Sequence, residues 1–376
     1  MLIKVCREGS VESLQAMLEE VAGDSRVKSV LILAGDGNGF TPGMVDPLLE
    51  NCPLPLVGGI FPQIISGGEN LGKGTIVAGL CYHMDCACLE GLSQDDKDLD
   101  QAVEDALVGI ECRNKTFFVF VDGLSSRINA LIETLFNNAG LLPNYIGGGA
   151  GSLSFEQKPC LFTNKGLATD SAVLGISNVS SGIGVAHGWQ PISKPIKVTE
   201  SVKNRVISLN WEPAFKVYQQ IIAEHSGISF QDQPFFEIAK AHPLGIVKLD
   251  TEMIVRDPII VDNHELVCVG EVPVNSFVYI LKGYTDNLVQ GAVQARDIAL
   301  KNFSADKHES SFLFMDCISR VLFMGEDFQK ELQAVEYGAS TFGALTIGEV
   351  ANTGDVYLEF YNKTAVAGII GDPDAI

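Results

Sequence analysis

The chain has few positive charges and none of the common catalytic signatures. It carries 26 Lys and Arg against 47 Asp and Glu, a formal net charge of −21. Such an acidic surface repels nucleic-acid phosphates and anionic lipid headgroups, so we expect no nucleic-acid partner and no membrane partner. No Walker phosphate loop, Gly-x-Ser-x-Gly elbow or His-Glu-x-x-His motif occurs in the 376 residues. These absences exclude the enzyme classes that depend on those motifs.

Targeting signals and long apolar runs are also lacking. The sequence begins Met1-Leu2-Ile3-Lys4 and shows no cleavable apolar leader. No window approaches 18 uncharged apolar residues, the length that a membrane-spanning helix needs. The 9 cysteines are an odd number in a large chain, which favours reduced thiols. Together these features predict a cytoplasmic protein.

The same order of sequence segments occurs three times along the chain. Each copy opens with a short, continuous apolar run, passes a helix-length stretch, reaches a glycine-containing apolar run and closes on another apolar run. Short continuous apolar runs are typical of strands buried on both faces. We therefore predict a mixed α/β (α+β) fold with repeated βαβ-like units forming mixed sheets. The opening runs lie at residues 29–33, 116–122 and 312–316, and the closing runs at 75–80, 172–176 and 364–370.

The second half adds a different pattern. Between about 245 and 282, short β-rich runs are separated by turn residues such as Asp257-Pro258 and Asp262-Asn263. This spacing predicts a meander of antiparallel strands. The segment 190–210 has two prolines and no strong periodicity, so we place a domain boundary there. The predicted domains are residues 1–190 and 191–376.

Two local clusters suggest ligands but have simpler explanations. The glycine run Gly147–Gly151 follows an apolar strand, yet no periodic helix follows it to hold a pyrophosphate. Cys81, His83, Cys86 and Cys88 lie within one predicted strand, whose alternation points the first two residues away from the last two. We therefore expect close backbone approach at the glycines and no bound metal at the thiols.

Several short motifs, taken in order, resemble those of FIST domain proteins. The N-terminal part of that family is represented by Gly58-Gly59 and Ile146–Gly151. The C-terminal part is represented by Ala241–Gly245, Val255–Ile259, Asp316–Arg320, Gly343–Glu349 and Phe360–Thr364. The resemblance covers nearly the whole chain. It identifies residues 1–190 as a FIST N-terminal domain and 191–376 as a FIST C-terminal domain.

The resemblance implies a sensor of signal transduction and not an enzyme. Such proteins bind small ligands, among them amino acids, and a form without an output domain signals to a separate partner, commonly a histidine kinase. Some stand-alone members bind haem and sense nitric oxide. Two ligand hypotheses therefore stay open, a haem-based nitric oxide sensor and a small-molecule sensor without haem.

The matched motif positions supply the candidate ligand-binding residues. An arginine there can hold a carboxylate with two parallel hydrogen bonds, and Glu349 could accept an ammonium group. The alternative is that Arg320 pairs with Glu349 and only fastens the sheet. For haem, the axial donor would be His242, which lies at the edge of a motif loop. The predicted ligand-binding set is Arg256, Cys317, Arg320, Glu349 and Asn362.

A cysteine-dependent enzyme is the rival class. Cys317 lies three residues before Arg320, and a nearby positive charge lowers the pKa of a thiol. A thiol nucleophile also needs a base, and no histidine lies near Cys317 in the sequence. A scaffold without a ligand pocket is a further alternative.

Overall fold

The computed structural model describes residues 1–248, 253–304, 310–337, 341–352 and 357–371. It is a mixed α/β fold, as predicted, and consists of three similar units with an antiparallel barrel inserted into the third.

The first unit alternates strands and helices. Its central strand is an apolar run buried along its whole length, and its first helix begins after Ser10, whose side chain accepts a hydrogen bond from the backbone N–H of Ser13. The elements are β1 (Leu2–Cys6), α1 (Val11–Gly23), β2 (Ser29–Gly35), α2 (Pro42–Glu50), β3 (Leu56–Phe61), β4 (Gln63–Ser66), β5 (Glu69–Leu71) and β6 (Thr75–Leu80).

The second unit repeats this order. Its second helix begins after Arg127 and ends at Gly140. Phe136 in the last turn of that helix is 42% exposed. The elements are β7 (Met84–Glu90), α3 (Leu99–Leu107), β8 (Thr116–Asp122), α4 (Ile128–Ala139), β9 (Asn144–Ala150), β10 (Leu161–Thr163), β11 (Gly166–Ala168) and β12 (Ser171–Ser177).

The third unit starts with β13 (Ser180–Ala186) and is then interrupted by the barrel. The barrel segment contains β14 (Gln190–Pro191), β15 (Ile196–Val202), β16 (Arg205–Leu209), β17 (Glu212–Pro213), α5 (Ala214–Ser226), α6 (Phe235–Ala239), β18 (Leu244–Ile246), β19 (Ile254–Asp262), β20 (Glu265–Val269) and β21 (Phe277–Lys282). The order β18-β19-β20-β16-β15-β21 closes because β21 pairs with β18. The predicted antiparallel strands are confirmed, and the hairpin β15–β16 completes the ring between β20 and β21.

The third unit resumes after the barrel. Its elements are α7 (Thr285–Asn302), β22 (Ser311–Cys317), α8 (Ile318–Met324), α9 (Phe328–Val335), β23 (Thr341–Thr346), β24 (Glu349–Asn352), β25 (Leu358–Tyr361) and β26 (Ala365–Gly371). Because β13 pairs with β26, the first and last strands of this unit lie side by side. The domain boundary predicted at residue 190 stays a prediction.

The three units exchange hairpins in a cycle. Each unit has one central strand: β2, β8 or β22. These strands pair in parallel with β3, β9 and β23, and antiparallel with β6, β12 and β26, respectively. Each of these sheets has four strands from its own unit and two from a hairpin of another unit, which pairs beside β3, β9 or β23. Hairpin β4–β5 of the first unit joins the third sheet, β10–β11 of the second joins the first, and β24–β25 of the third joins the second. The chain thus forms three interlocked sheets.

A glycine lies at the same position of the second strand in all three units. The strand pairings place Gly58 opposite Ile32 of β2, Gly147 opposite Val119 of β8 and Gly343 opposite Phe314 of β22. An added Cβ would lie 1.9, 1.9 and 1.8 Å from the carbonyl oxygens of those residues. Real atoms do not approach so closely, so this position excludes every side chain. The glycine-rich runs in the sequence therefore reflect packing of the repeat, as predicted for Gly147–Gly151.

Among the described residues, no helix combines the length and apolar character required to cross a membrane.

Candidate functional site

The motif residues of the C-terminal half come together where the third unit meets the barrel. Three loop regions supply them: the end of β22, the turn between β23 and β24, and the turn between β25 and β26. Strand β19 of the barrel packs against the last of these. The turn between β25 and β26 contains Lys363 in a left-handed conformation, with φ of 52°. Such a backbone in a non-glycine residue costs free energy and marks a conformation held by its surroundings.

Arg320 lies at the centre of a fully buried ionic cluster. Its Nη2 lies 2.5 Å from Oε2 of Glu331, and its Nε lies 3.0 Å from Oδ1 of Asp316. It also donates to the carbonyl oxygens of His187 at 2.7 Å and Leu288 at 3.0 Å. Burial and the neighbouring Glu331 raise the pKa of Asp316 well above its usual range, and the charge of Arg320 opposes that shift. The expected alternative, a pair between Arg320 and Glu349, is not the arrangement found.

Glu349 forms a separate buried site. Its Oε1 accepts a hydrogen bond from the Thr346 hydroxyl at 2.8 Å, and its Oε2 accepts one from the backbone N–H of Thr364 at 3.3 Å. The thiol of Cys317 donates to the same carboxyl group. Burial outweighs these donors and raises the pKa of Glu349 to about 8. A carboxyl group with this pKa changes charge near neutral pH.

Cys317 is poorly suited to act as a nucleophile. The side chain is 3% exposed, and burial together with Glu349 raises the pKa of its thiol. A catalytic cysteine needs the opposite shift and a path for substrate. Its charged neighbour is the carboxyl group of Glu349, which disfavours the thiolate.

A second ion pair connects the barrel to the third unit. Nζ of Lys363 lies 3.1 Å from Oδ2 of Asp257, and both side chains are buried. The ammonium group also donates to the carbonyl oxygen of Lys240 at 3.0 Å and lies 5.1 Å from the centre of the Trp189 ring. Burial raises the pKa of Asp257, and Lys363 opposes that shift.

Arg256 precedes Asp257 on β19 and faces a different environment. Its guanidinium donates to the carbonyl oxygens of Glu271 at 3.0 Å, Val255 at 3.0 Å and Phe360 at 3.1 Å. A weaker contact of 3.5 Å reaches Oδ1 of Asn362. Within the described parts of the chain no carboxylate lies within 4.0 Å of this guanidinium, although the residue is only 4% exposed. Its hydrogen bonds are thus to neutral groups, while the carboxylates of Glu359 and Glu271 act on its charge from a longer distance.

A cavity of about 320 Å³ opens beside Arg256. Helix α4, the exchanged strand β25 and the barrel enclose it. Two side chains at its edge, Lys248 and Glu359, form an ion pair of 2.6 Å, and the Lys248 ammonium lies 5.4 Å from the centre of the Tyr357 ring. The remaining lining has two exposed carboxylates, Glu133 and Glu271, and the amide of Asn129. Its apolar residues are Ile132, Phe136, Ile246, Ile254, Pro273 and Leu358.

His242 lies in the barrel segment just after α6. Its ring is buried, and Nδ1 lies 2.8 Å from the carbonyl oxygen of Ile238. Nε2 has no hydrogen-bond partner among the described residues. Burial lowers the pKa of this histidine, so its ring is neutral at physiological pH. His242 does not line the cavity beside Arg256.

Two domain families match the chain in succession. A FIST N domain matches residues 30–212, and a FIST C domain matches residues 214–352. The chain belongs to the FIST family. FIST domains are sensor domains of signal transduction that recognise small ligands. No curated protein matches the chain.

The FIST C motifs therefore form one connected network with two kinds of site. Cys317, Arg320 and Glu349 lie in the interior, where they contact protein groups. Of the predicted ligand-binding residues, only Arg256 lines the cavity. Asn362 contacts the Arg256 side chain and does not line the cavity. Glu331, Lys363 and Asp257 also belong to this network and are not among the residues predicted from the sequence. Lys363 and Asp257 stood beside residues already singled out, but a lysine or aspartate in a turn is usually solvated.

The thiol cluster is arranged differently from the prediction. The chain turns at residues 81–83 between β6 and β7, so Cys81 and His83 do not lie on the strand that carries Cys86 and Cys88. Cys86 and Cys88 share one face of β7; Cys86 is exposed, and burial raises the pKa of the half-buried Cys88 thiol to about 11. In the described part of the chain no group of three His, Cys, Asp or Glu side chains is arranged to hold a metal ion.

Proposed function

We propose that this FIST protein senses a small carboxylate ligand in the cavity beside Arg256 and thereby regulates a separate partner, such as a histidine kinase. The observation that carries the proposal is the buried Arg256 guanidinium, which lines the cavity without a carboxylate partner in the described residues. A ligand carboxylate would supply the missing negative charge through two parallel hydrogen bonds.

The cavity lining supports an amino acid as the ligand. A carboxylate on Arg256 would direct the rest of the molecule past Ile132, Ile246 and Ile254, which favour an apolar side chain. The exposed carboxylates Glu133 and Glu271 lie on the same lining and are suited to an ammonium group. The volume of about 320 Å³ is at the small end of ligand pockets.

The contacts behind Arg256 offer a route for the signal. Arg256 and Asp257 are neighbours on β19, and their partners Asn362 and Lys363 are neighbours in the turn before β26. The carbonyl oxygen of Lys363 in turn accepts a hydrogen bond from Trp189 Nε1 at 2.9 Å. A ligand that draws Arg256 away from its present acceptors would therefore act on the turn that connects the barrel to the third unit.

The test compares two arginines of the barrel. Arg256→Met should weaken binding of an apolar amino acid at least tenfold, because a hydrogen bond to a charged group contributes about 1.5–3 kcal/mol. Arg205→Met, which removes an exposed arginine paired with Asp262 and Glu265, should leave affinity unchanged. Calorimetric titration with a panel of amino acids, and with amines that lack the carboxylate, measures both effects.

Equal affinity for the amino acid and the matched amine would reject the carboxylate proposal. So would unchanged binding in an Arg256→Met protein that keeps the circular dichroism spectrum of the unaltered chain. With a ligand identified, the rate of autophosphorylation of a cognate histidine kinase, measured with and without ligand, tests the signalling half of the proposal.

Haem is the second candidate, and one observation favours it. Nε2 of His242 is buried without a hydrogen-bond partner among the described residues, and a haem iron at that atom would supply the ability to bind nitric oxide. The surroundings do not fit a haem as they stand, since the ring is 2% exposed and lies away from the described cavity. Visible spectra of the purified protein with added haemin test this candidate, and a colourless protein that takes up no haemin rejects it. His242→Ala should abolish haemin uptake, and His225→Ala is its control.

A further inference from the structure

The cavity beside Arg256 has charged groups at both ends. In the pairing of β18 with β19, Arg256 lies opposite Leu244 and Ile254 lies opposite Ile246. Lys248 follows Ile246 by two residues and also lines the cavity. Because side chains two residues apart point to the same face of an extended chain, Arg256 and Lys248 lie at opposite ends of the apolar stretch formed by Ile246 and Ile254. A ligand with its carboxylate on Arg256 therefore directs its other end towards Lys248.

The end at Lys248 has the groups that bind a cation. The Lys248 ammonium lies 2.6 Å from Oε1 of Glu359 and 5.4 Å from the centre of the Tyr357 ring. A carboxylate and the face of an aromatic ring are also the groups that hold the ammonium or guanidinium of a ligand. The Lys248 side chain is 34% exposed and that of Glu359 only 16%. Lys248, with its flexible stem, can therefore move out into solvent while the carboxylate stays in the cavity wall.

The charge balance of the lining favours a ligand with a net positive charge. Three carboxylates line the cavity together with two cations, so the lining carries one net negative charge. An amino acid with a cationic side chain has one net positive charge at neutral pH and matches this balance. A ligand with a second carboxylate would bring that group beside Glu359, where like charges repel. The apolar stretch between the two ends is suited to the methylene stem of a cationic side chain. The charged lining residues are Glu133, Glu271, Glu359, Lys248 and Arg256.

We propose that the cavity takes an amino acid with a cationic side chain, whose distal ammonium or guanidinium replaces Lys248 between Glu359 and Tyr357. The inference rests on the function proposed above, because it uses Arg256 as the site of the ligand carboxylate. Lys248 thus acts as an internal competitor of the ligand cation. Since Lys248 belongs to the barrel segment and Glu359 to the hairpin of the third unit, the ligand exchanges a direct ion pair between these parts for a bridge of its own.

The first experiment compares amino acids that differ only at the far end of the side chain. Calorimetric titration of the unaltered chain compares free lysine with norleucine, which lacks the distal ammonium. It also compares free arginine with citrulline, which has a neutral urea in place of the guanidinium. The cationic member of each pair should bind more tightly, by about threefold or more, because it matches the charge of the lining while Lys248 still competes. Free glutamate should bind more weakly than norleucine.

Two substitutions test the displacement of Lys248. Lys248→Met removes the internal competitor, so free lysine should bind this variant at least tenfold more tightly than norleucine does, and more tightly than it binds the unaltered chain. Glu359→Gln removes the carboxylate and should abolish the preference for lysine over norleucine. Glu212→Gln is the matched control. It breaks an exposed ion pair of 2.6 Å with Lys216, outside the cavity, and should keep the preference.

Norleucine separates a failure of this inference from a failure of the proposed function. If norleucine binds, and free lysine binds no more tightly to the unaltered chain or to Lys248→Met, the inference is wrong and the carboxylate site at Arg256 stands. If no amino acid binds, both are wrong. Weaker binding of free lysine to Lys248→Met than to the unaltered chain would also overturn the inference, since Lys248 would then support the ligand and not compete with it. Circular dichroism establishes that each variant is folded before affinities are compared.

Discussion

The third unit differs from the first two in what it buries at equivalent positions. The strand pairings place Glu349 opposite Gly148, Leu161 opposite Gly59 and Ile64 opposite Ala344. Glu349, Leu161 and Ile64 therefore occupy equivalent positions in the three exchanged hairpins. The same registers match Asp316 with Ala34 and Val121. Two units therefore build the same backbone with apolar side chains where the third carries carboxyl groups. Buried ionic groups are commonly no more stabilising than apolar ones, so the backbone of the third unit does not depend on these carboxyl groups for its stability.

The largest effect should come from a feature that all three units share. Replacing Gly58, Gly147 or Gly343 by Ala places a Cβ within 2 Å of a carbonyl oxygen in a central strand. Each change should lower the free energy of unfolding by more than about 4 kcal/mol, the range reserved for severe overpacking. Urea denaturation measures the loss, and Gly43→Ala in α2, where a Cβ meets nothing within 4 Å, is the control. If one of the three substitutions left the free energy of unfolding unchanged, the three units would not be equivalent at this position.

A smaller effect should come from the cluster found only in the third unit. Glu331→Leu removes the main partner of Arg320 and leaves the buried guanidinium beside Asp316, whose charged form is disfavoured by burial. The expected loss is about 3 kcal/mol, because an uncompensated buried charge remains. Urea denaturation again gives the value. The double variant Glu331→Leu with Arg320→Met should recover part of the loss, and a double variant less stable than Glu331→Leu would contradict the account.

A third effect concerns the pH dependence of stability. The pKa of Glu349 is about 8 in the folded chain, above its ordinary value of 4.5. A raised folded-state pKa contributes stability that is fully present below the ordinary pKa and is lost as the pH rises through 8. Between pH 5 and pH 8.5 the unaltered chain should therefore lose more stability than Glu349→Gln does. Parallel curves for the two proteins in urea titrations across this range would show that Glu349 is not the responsible group.

The local elements could be predicted from sequence because their signals are local. The three strands predicted at residues 29–33, 116–122 and 312–316 all lie where the apolar runs placed them. The hairpin exchange could not be predicted, because nothing in a short strand such as β4 identifies β23 as its partner. The same limit applies to the site. Arg256 was chosen for its residue type and motif, whereas the partnership of Arg320 with Glu331 depends on how α8 and α9 pack.

The exchange of hairpins also has a consequence for synthesis of the protein. Strand β9 needs β24 as its neighbour, and the hairpin β24–β25 emerges from the ribosome about 200 residues after β9, roughly 10–40 s later at typical elongation rates. During that interval the second sheet has an open edge with unpaired backbone groups, the kind of surface that recruits strands from other chains. The edge is formed by Tyr145-Ile146-Gly147-Gly148-Gly149, and its glycines are poor strand formers. The residues that permit the close packing of the finished repeat thus also make the nascent edge a weak template for aggregation.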